Sequence, residues 1–336
     1  MHGFIVTVGG LFRTPIRSDV MSTGSRPLVP SRLAPGGVAA HGPRRTPTTK
    51  LGGYIALMKL RVVELLLITT VPTMVLAEQG WPSWGLVAVT LIGGTLAAGG
   101  ANAINMVIDR DIDALMERTK GRPLVTGLIA PRDALIFALS LQVAAFLVLW
   151  MGANLLSAVL TMSATAFYVF VYTIWLKRTS RQNIVIGGAA GAVPVLVGWS
   201  AVTNSLAWEP FILFTAIFLW TPPHFWALAI KHADDYKAAQ VPMLPTVVPM
   251  RQTIMSMLAY TVLLAAVTLV LGPVADLGPI YMVSAGVLGA GFIASAIDLG
   301  RHPTPARSMR VFGFSITYVT VLFVAMAVDV LVRHGI

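Results

Sequence analysis

From about residue 51 onward the chain is a series of apolar runs, each near the ~20 residues that cross the hydrocarbon core of a bilayer. They fall at 62–78, 84–108, 133–151, 154–175, 183–203, 210–230, 253–271, 278–297 and 311–331, separated by short polar breaks. Lipid cannot hydrogen-bond the backbone, so such a chain must fold as helices or as a closed barrel. The alternating ten-residue pattern of a barrel is absent. The expected fold is therefore an all-α polytopic membrane protein with nine transmembrane helices. Composition agrees: 56% of residues are hydrophobic and 11% charged, against roughly 25% charged in soluble domains. The mean hydropathy is +0.78. There is no cysteine, which excludes disulfides and thiolate metal sites.

The polar breaks set an orientation. Arg110, Arg118, Lys120, Arg122 and Arg132 follow the second run; Lys177, Arg178 and Arg181 follow the fourth. Lys231, Lys237 and Arg251 follow the sixth, and Arg301, Arg307 and Arg310 the eighth. The opposite breaks carry Glu78, Glu209 and Asp276 but no Lys or Arg, and of 24 basic residues only Arg333 lies on that side. The positive-inside rule then puts the N-terminus in the cytoplasm and the C-terminus outside. The net charge of +10 accordingly reflects topology and contact with anionic lipid in the bilayer, with no nucleic-acid partner. The expected location is the cell (plasma) membrane.

Residues 1–50 are rich in Arg, Pro, Gly, Ser and Thr, with Asp19 as their one acid. Such a segment buries too little apolar surface to order itself and is expected to be a disordered basic tail before a single membrane domain at 51–336. An Arg- and Ser-rich, acid-poor leader also fits an organellar transit peptide, with the mitochondrial inner membrane as the alternative location. Met21 is an alternative start.

The chemistry-bearing stretch is NAINMVIDRDIDALMERTKGRP, directly behind the second run. Asn105, Asp109 and Asp113 are spaced i, i+4, i+8, which on a helix stacks three oxygen-bearing side chains on one face. Asp111 would then point ~200° from Asp109. Oxygen ligands suit Mg²⁺ (or Mn²⁺), the metal bridges phosphate oxygens, and Arg118, Lys120 and Arg122 would take remaining phosphate charge. A solvated helix end leading into a charged loop is the plainer reading. The sixth run ends in TPPHFWALAIKHADDYKAAQVPMLP, placing Lys231, Asp234, Asp235 and Tyr236 on the same side. The two stretches lie four spans apart, so their helices run in the same direction, and a parallel internal repeat could bring their ends together around a central cavity.

Three further features carry alternatives. His224, after Pro222 and Pro223, either faces the cavity as a proton acceptor or porphyrin contact, or is hydrogen-bonded between helices. Glu64 is either a functional intramembrane carboxylate or a partner of Lys59 or Arg61. Gly187, Gly188 and Gly191 permit close helix approach; they do not form a phosphate loop, since no strand precedes them.

NAINMVIDRDIDALMERTKGRPLVTG resembles the first aspartate-rich motif of the UbiA-type intramembrane prenyltransferases. KLRVVELLLITTVPTM at 59–74, YTIWLKRTSRQNIVIGGAAGAVPVLVGW at 172–199 and PPHFWALAIKHADDYKAAQVPMLP at 222–245 resemble their heme-farnesylating branch. The likeness runs from about residue 54 to 330. It implies nine spans around a cavity, an active site at the cytoplasmic face, and a reaction. Farnesyl diphosphate would donate a farnesyl group to the 2-vinyl group of heme B, giving heme O. Asn105, Asp109, Asp113 and Asp235 are then expected to bind metal and diphosphate, with Asp109, Asp113 and Asp235 catalytic. Arg118, Lys120, Arg122 and Lys231 are expected to grip phosphate, and His224 to contact heme. Heme A synthase or a terminal oxidase would be a candidate partner. Two positions depart from the family pattern: Leu60 stands where Pro commonly follows the lysine, and Lys231 where many relatives outside the heme branch have the first Asp of a second Asp-x-x-x-Asp.

Two rivals share parts of this pattern. A prenyltransferase for an aromatic quinone precursor would differ only in the acceptor pocket. A secondary transporter would place coupling charges near the bilayer midplane, whereas here they cluster at one face.

Overall fold

The computed structural model describes residues 46–335, excepting the side chains of residues 61, 62 and 64–67. The tail expected at 1–50 lies almost wholly outside the described residues, as do the side chains of Glu64 and Arg61. All regular structure among the described residues is helical.

The chain opens with α1 (Lys50–Met58), whose first turn is capped by Thr49 Oγ1 accepting from the Gly52 amide at 3.1 Å. Lys59 then adopts a left-handed conformation (φ 51°), breaking the helix before α2 (Leu60–Glu78). Leu60 thus occupies the first turn, where a proline would be equally at home. The remaining long helices are α3 (Trp84–Ile108), α5 (Pro131–Gly152), α8 (Asn183–Thr203), α9 (Trp208–Lys231), α12 (Met250–Val274), α13 (Pro279–Arg301) and α14 (Pro305–Arg333). One further span, Leu155–Thr179, is built from α6 (Leu155–Ala166), a π-helical segment Phe167–Leu176 and the single turn α7 (Lys177–Thr179).

Eight of these described helices are long and apolar enough to cross a membrane by length and composition. The first of the nine expected spans corresponds to α2, 19 residues long, or roughly 28 Å at 1.5 Å per residue. Prolines 72, 194, 222, 223 and 273 lie inside helices. Membrane helices tolerate this where neighbours re-satisfy the freed carbonyls.

Trp81 and Trp84 before and at the start of α3, Trp150 near the end of α5 and Trp208 at the start of α9 are all exposed at one end of the bundle. That end has almost no basic residues, and tryptophans there fit the interfacial belt of a membrane protein. Helix α3 packs on α5, α8 packs on both α2 and α9, and α14 packs on α2, α9 and α13. The α2–α8 contact is close because Gly198 lies under the Thr70 carbonyl; a Cβ there would come within 2.7 Å of that oxygen. The packing brings the opposite ends of α3, the π-helical span and α9 to the basic face, where the short helix α4 (Arg110–Leu115) follows α3, and α10 (Ala233–Ala238) and α11 (Leu244–Val247) follow α9.

Candidate active site

The α-helix of α3 does not continue through the acidic stretch. It ends at Ile108, Asp109 sits at φ −89°, ψ 5°, and α4 starts afresh at Arg110. Arg178 explains part of the break, since its Nη2 donates to the Ile108 carbonyl at 3.2 Å and so caps α3. The backbone bonds Asp109 N–Asn105 O and Asp113 N–Asp109 O, both 2.9 Å, nonetheless hold the phase across the joint. Asn105, Asp109 and Asp113 are therefore all buried, at 2%, 0% and 3% exposure, while Asp111 points outward.

Buried carboxylates need compensation, and here it comes from distant parts of the chain. Asp109 Oδ2 accepts from Asn105 Nδ2 at 2.6 Å and is ion-paired to Lys177; Arg178 stands 3.6 Å from Oδ1. Asp113 Oδ2 accepts from Arg122 Nη1 at 2.5 Å. The Lys59 ammonium donates to Asn105 Oδ1 at 3.1 Å. Burial pushes the Lys59 ammonium well below the ordinary lysine range, and Arg122 and Lys177 push it further by repulsion. Among the described residues Lys59 has no carboxylate partner. Two buried carboxylates thus face three cations.

The π-helical segment supplies the facing wall. Its i→i+5 bonding widens the turn, so residues four apart, such as Thr173 and Lys177, lie more nearly above one another. Thr173 Oγ1 accepts from Asn105 Nδ2 at 3.2 Å and donates to the Tyr168 carbonyl at 2.9 Å. Tyr168 and Tyr172 stack at 5.4 Å between centroids. Tyr172 lies against Gly187 of α8, where any Cβ would collide with the ring, and Gly188 likewise meets Thr221 of α9. Gly191, expected to share this role, opens onto free space.

The second polar stretch adjoins this centre through backbone and ring contacts. Glu117 N donates to Asp235 Oδ1 at 3.3 Å, and Arg118 Nη2 donates to Tyr236 Oη at 2.9 Å with its guanidinium 4.9 Å from a ring centroid. Ile112, Met116 and Tyr236 share an apolar cluster against which Tyr172 packs. The segments that follow α3 and α9 thus meet at the basic face. Among the described residues no three His, Asp or Glu side chains stand close enough to hold a metal by themselves. Lys120 is turned away in an exposed pair with Glu117 (2.5 Å), and Lys231 is exposed. His232 Nδ1 lies 3.9 Å from Asp235; burial, then Arg118 and Lys231, lower its pKa. His224 is apart from the centre, buried between α9 and α14 with Nδ1 2.7 Å from Ser315 Oγ.

Sequence reasoning thus missed Lys59, Lys177, Arg178 and Thr173. Lys177 and Arg178 were visible as basic residues inside the family-like stretches but served only to set topology, and Lys59 entered only as a possible partner of Glu64.

The model of the UbiA prenyltransferase family matches residues 66–324. A protoheme IX farnesyltransferase from Parafrankia sp. (strain EAN1pec) is 55% identical over 283 residues, covering 83% of this chain and 90% of that protein. One from Frankia alni is 54% identical over 286 residues, covering 84% and 99%. Among solved structures, a digeranylgeranylglyceryl phosphate synthase superposes with TM-score 0.70 at 17% identity, over 84% of this chain and 98% of its own. A UbiA homolog from Archaeoglobus fulgidus bound to DMAPP and Mg²⁺ gives 0.57 at 17% identity, over 82% and 99%. At that identity the structural matches establish the fold.

Proposed function

Because this chain belongs to the UbiA prenyltransferase family, we infer that it is a multi-pass membrane enzyme that farnesylates heme. The donor is farnesyl diphosphate, the acceptor is the 2-vinyl group of protoheme IX, and the product is heme O. The relatives above 50% identity support the acceptor. The observation that carries the donor half is the excess of cations at the buried Asn105–Asp109–Asp113 run. Lys59, Arg122 and Lys177 set three basic side chains against two carboxylates, a cradle suited to an anion.

A divalent cation belongs to this reading. Asp109 Oδ1 is fully buried with no hydrogen-bond partner, and a hard oxygen donor left so is suited to Mg²⁺ or Mn²⁺. Asp109, Asp113 and the Asn105 carbonyl would hold the metal, with Asp235 entering through the adjoining loop. When bound, the metal supplies charge to the departing diphosphate. Lys177 and Arg122 would shift from the carboxylates to phosphate oxygens, and Lys59, which has no carboxylate partner among the described residues, would gain an anion. As the C1–O bond breaks, the bonding pair leaves with the diphosphate and C1 becomes an allylic cation. The vinyl π-electrons attack C1, water captures the resulting cation beside the pyrrole, and a proton is released. Arg118 and Lys231 are secondary phosphate contacts; Lys120, in its exposed pair, is the weakest. The diphosphate face is cytoplasmic and the C-terminus outside, in the plasma membrane. A heme A synthase or terminal oxidase would receive the product.

Incubation with farnesyl diphosphate, protoheme IX and Mg²⁺, then mass spectrometry of extracted heme, tests this. Heme O should form and should disappear when the metal is chelated. Unchanged heme alongside a prenylated phenolic acceptor would overturn the acceptor assignment.

A further inference from the structure

His224 lies seven residues before the end of α9 at Lys231, roughly 10 Å along the axis at 1.5 Å per residue. It is held by three neighbours. Its ring stacks on Trp220 (4.2 Å between centroids) and on Phe312 of α14 (4.5 Å), and meets Phe225 edge-on at 5.1 Å. Trp220 Nε1 donates to the Ser315 carbonyl at 2.7 Å, which ties the same two helices together.

The Ser315 hydroxyl decides which ring nitrogen carries the proton. Its Oγ lies 2.6 Å from the Phe312 carbonyl and 2.7 Å from His224 Nδ1. A carbonyl cannot donate, and two oxygens this close require the intervening proton, so the single hydroxyl proton goes to Phe312. Oγ must then accept from His224 Nδ1–H. The neutral imidazole therefore keeps its lone pair on Nε2. The ring's one hydrogen bond among the described residues is at Nδ1, which leaves Nε2 without a partner there, and the residue is 7% exposed.

A fixed imidazole, with Nδ1–H given to an oxygen acceptor and Nε2 free, is the arrangement by which proteins present histidine to a metal. We propose that His224 Nε2 is an axial ligand to the iron of the acceptor porphyrin. This rests on the heme reading of the same protein. Aromatic Phe225, itself partly exposed beside the ring, offers a flat apolar flank for the macrocycle. Iron ligation at this depth would fix the porphyrin relative to the diphosphate centre at the same end of the bundle, so that one vinyl edge is presented rather than several. His224 is then a binding residue for the acceptor and takes no part in diphosphate departure.

The test uses the full chain, purified in detergent, with added protoheme IX. Absorption and resonance Raman spectra of the reduced complex should show a histidine-bound iron. His224→Ala should lose the iron–histidine band and weaken heme binding at least tenfold, and added imidazole should restore the band. Ser315→Ala should keep heme bound but move that band to lower frequency, because Nδ1–H loses its acceptor and the imidazole becomes a weaker donor. A purely structural histidine would not shift the band in this way, and this variant remains informative if His224→Ala does not fold. An unchanged band in both variants, or a band lost on His232→Ala instead, would overturn the proposal. If heme O forms but bound heme shows no histidine ligand, the ligation is wrong and the acceptor reading stands. If heme neither binds nor reacts, both fail.

Discussion

The Asp109–Lys177 pair offers a separation of stability from catalysis by a double-mutant cycle. Asp109 is fully buried and the Lys177 side chain is 15% exposed, so solvent screens neither well. Removing one partner from such a pair costs about 3–5 kcal/mol, because the remaining charge is left buried. The two single changes should not cost the same. In Lys177→Met, Asp109 keeps Asn105 Nδ2 at 2.6 Å and Arg178 at 3.6 Å, which places it at the low end of that range. In Asp109→Asn, Lys177 loses its one carboxylate partner among the described residues, which places it at the high end. For a protein of this size such losses lower the melting temperature by on the order of 10 °C. The double variant Asp109→Asn/Lys177→Met holds neither charge and should cost about 5 kcal/mol instead of the roughly 8 that additive losses would give, a coupling of about 3 kcal/mol. Turnover should not recover: all three variants lack a diphosphate or metal contact and should fall by ~10²-fold or more. Melting curves in detergent and mass spectrometry of extracted heme measure the two quantities. Additive destabilisation would refute the pairing, and restored turnover in the double variant would refute the catalytic role of both residues.

The neighbouring Asp111 should behave differently. It accepts from Arg178 through two contacts of 2.7 Å but is largely exposed, so Asp111→Asn should cost under about 1 kcal/mol and reduce turnover far less than Asp109→Asn; equal loss in both would sink this distinction. The Arg178 bond holds the Asp111 carboxyl at about 2, below its ordinary 3.8. Its contribution is therefore complete above pH 3.8 and lost as pH falls through about 2, so wild type and Asp111→Asn should keep a constant difference in melting temperature between about pH 5 and 8. Gly187→Ala drives a methyl into the Tyr172 ring and should cost about 1–3 kcal/mol with a clear drop in turnover, whereas Gly191→Ala should be neutral in both. Tags in the loops at 110–132, 176–182, 231–252 and 298–310 should report the cytoplasm and a C-terminal tag the opposite side. A cytoplasmic C-terminus would mean that one span is misassigned.

The spans were legible because lipid imposes one rule on every backbone group, and the apolar runs obey it almost without interruption. The acidic run was legible for a similar reason, since spacing by four survives a helix joint as long as the backbone bonds across it are kept, as they are at Asp109. What the sequence hides is which cation turns inward. Lys120 and Lys177 have the same charge and lie on the same side of the membrane, and a count of basic residues weighs them equally. Yet Lys120, 58% exposed, finds Glu117 three residues away, while Lys177, 15% exposed, finds Asp109 sixty-eight residues away. A local acid can absorb a nearby base in a solvated pair, and Glu117 does this for Lys120. Lys177 and Arg178 have no acid in their own loop at 176–182, so their charges are free to be used across the bundle. Lys59 is next to a stretch whose acid, Glu64, suggested just such a local pairing, which lies outside the described residues, and its ammonium reaches Asn105 on α3. A basic residue at a helix end with no nearby acid is therefore the sequence signal for these missed residues. It identifies Lys177 and Arg178 in advance and still fails for Lys59, whose reach depends on the left-handed turn between α1 and α2.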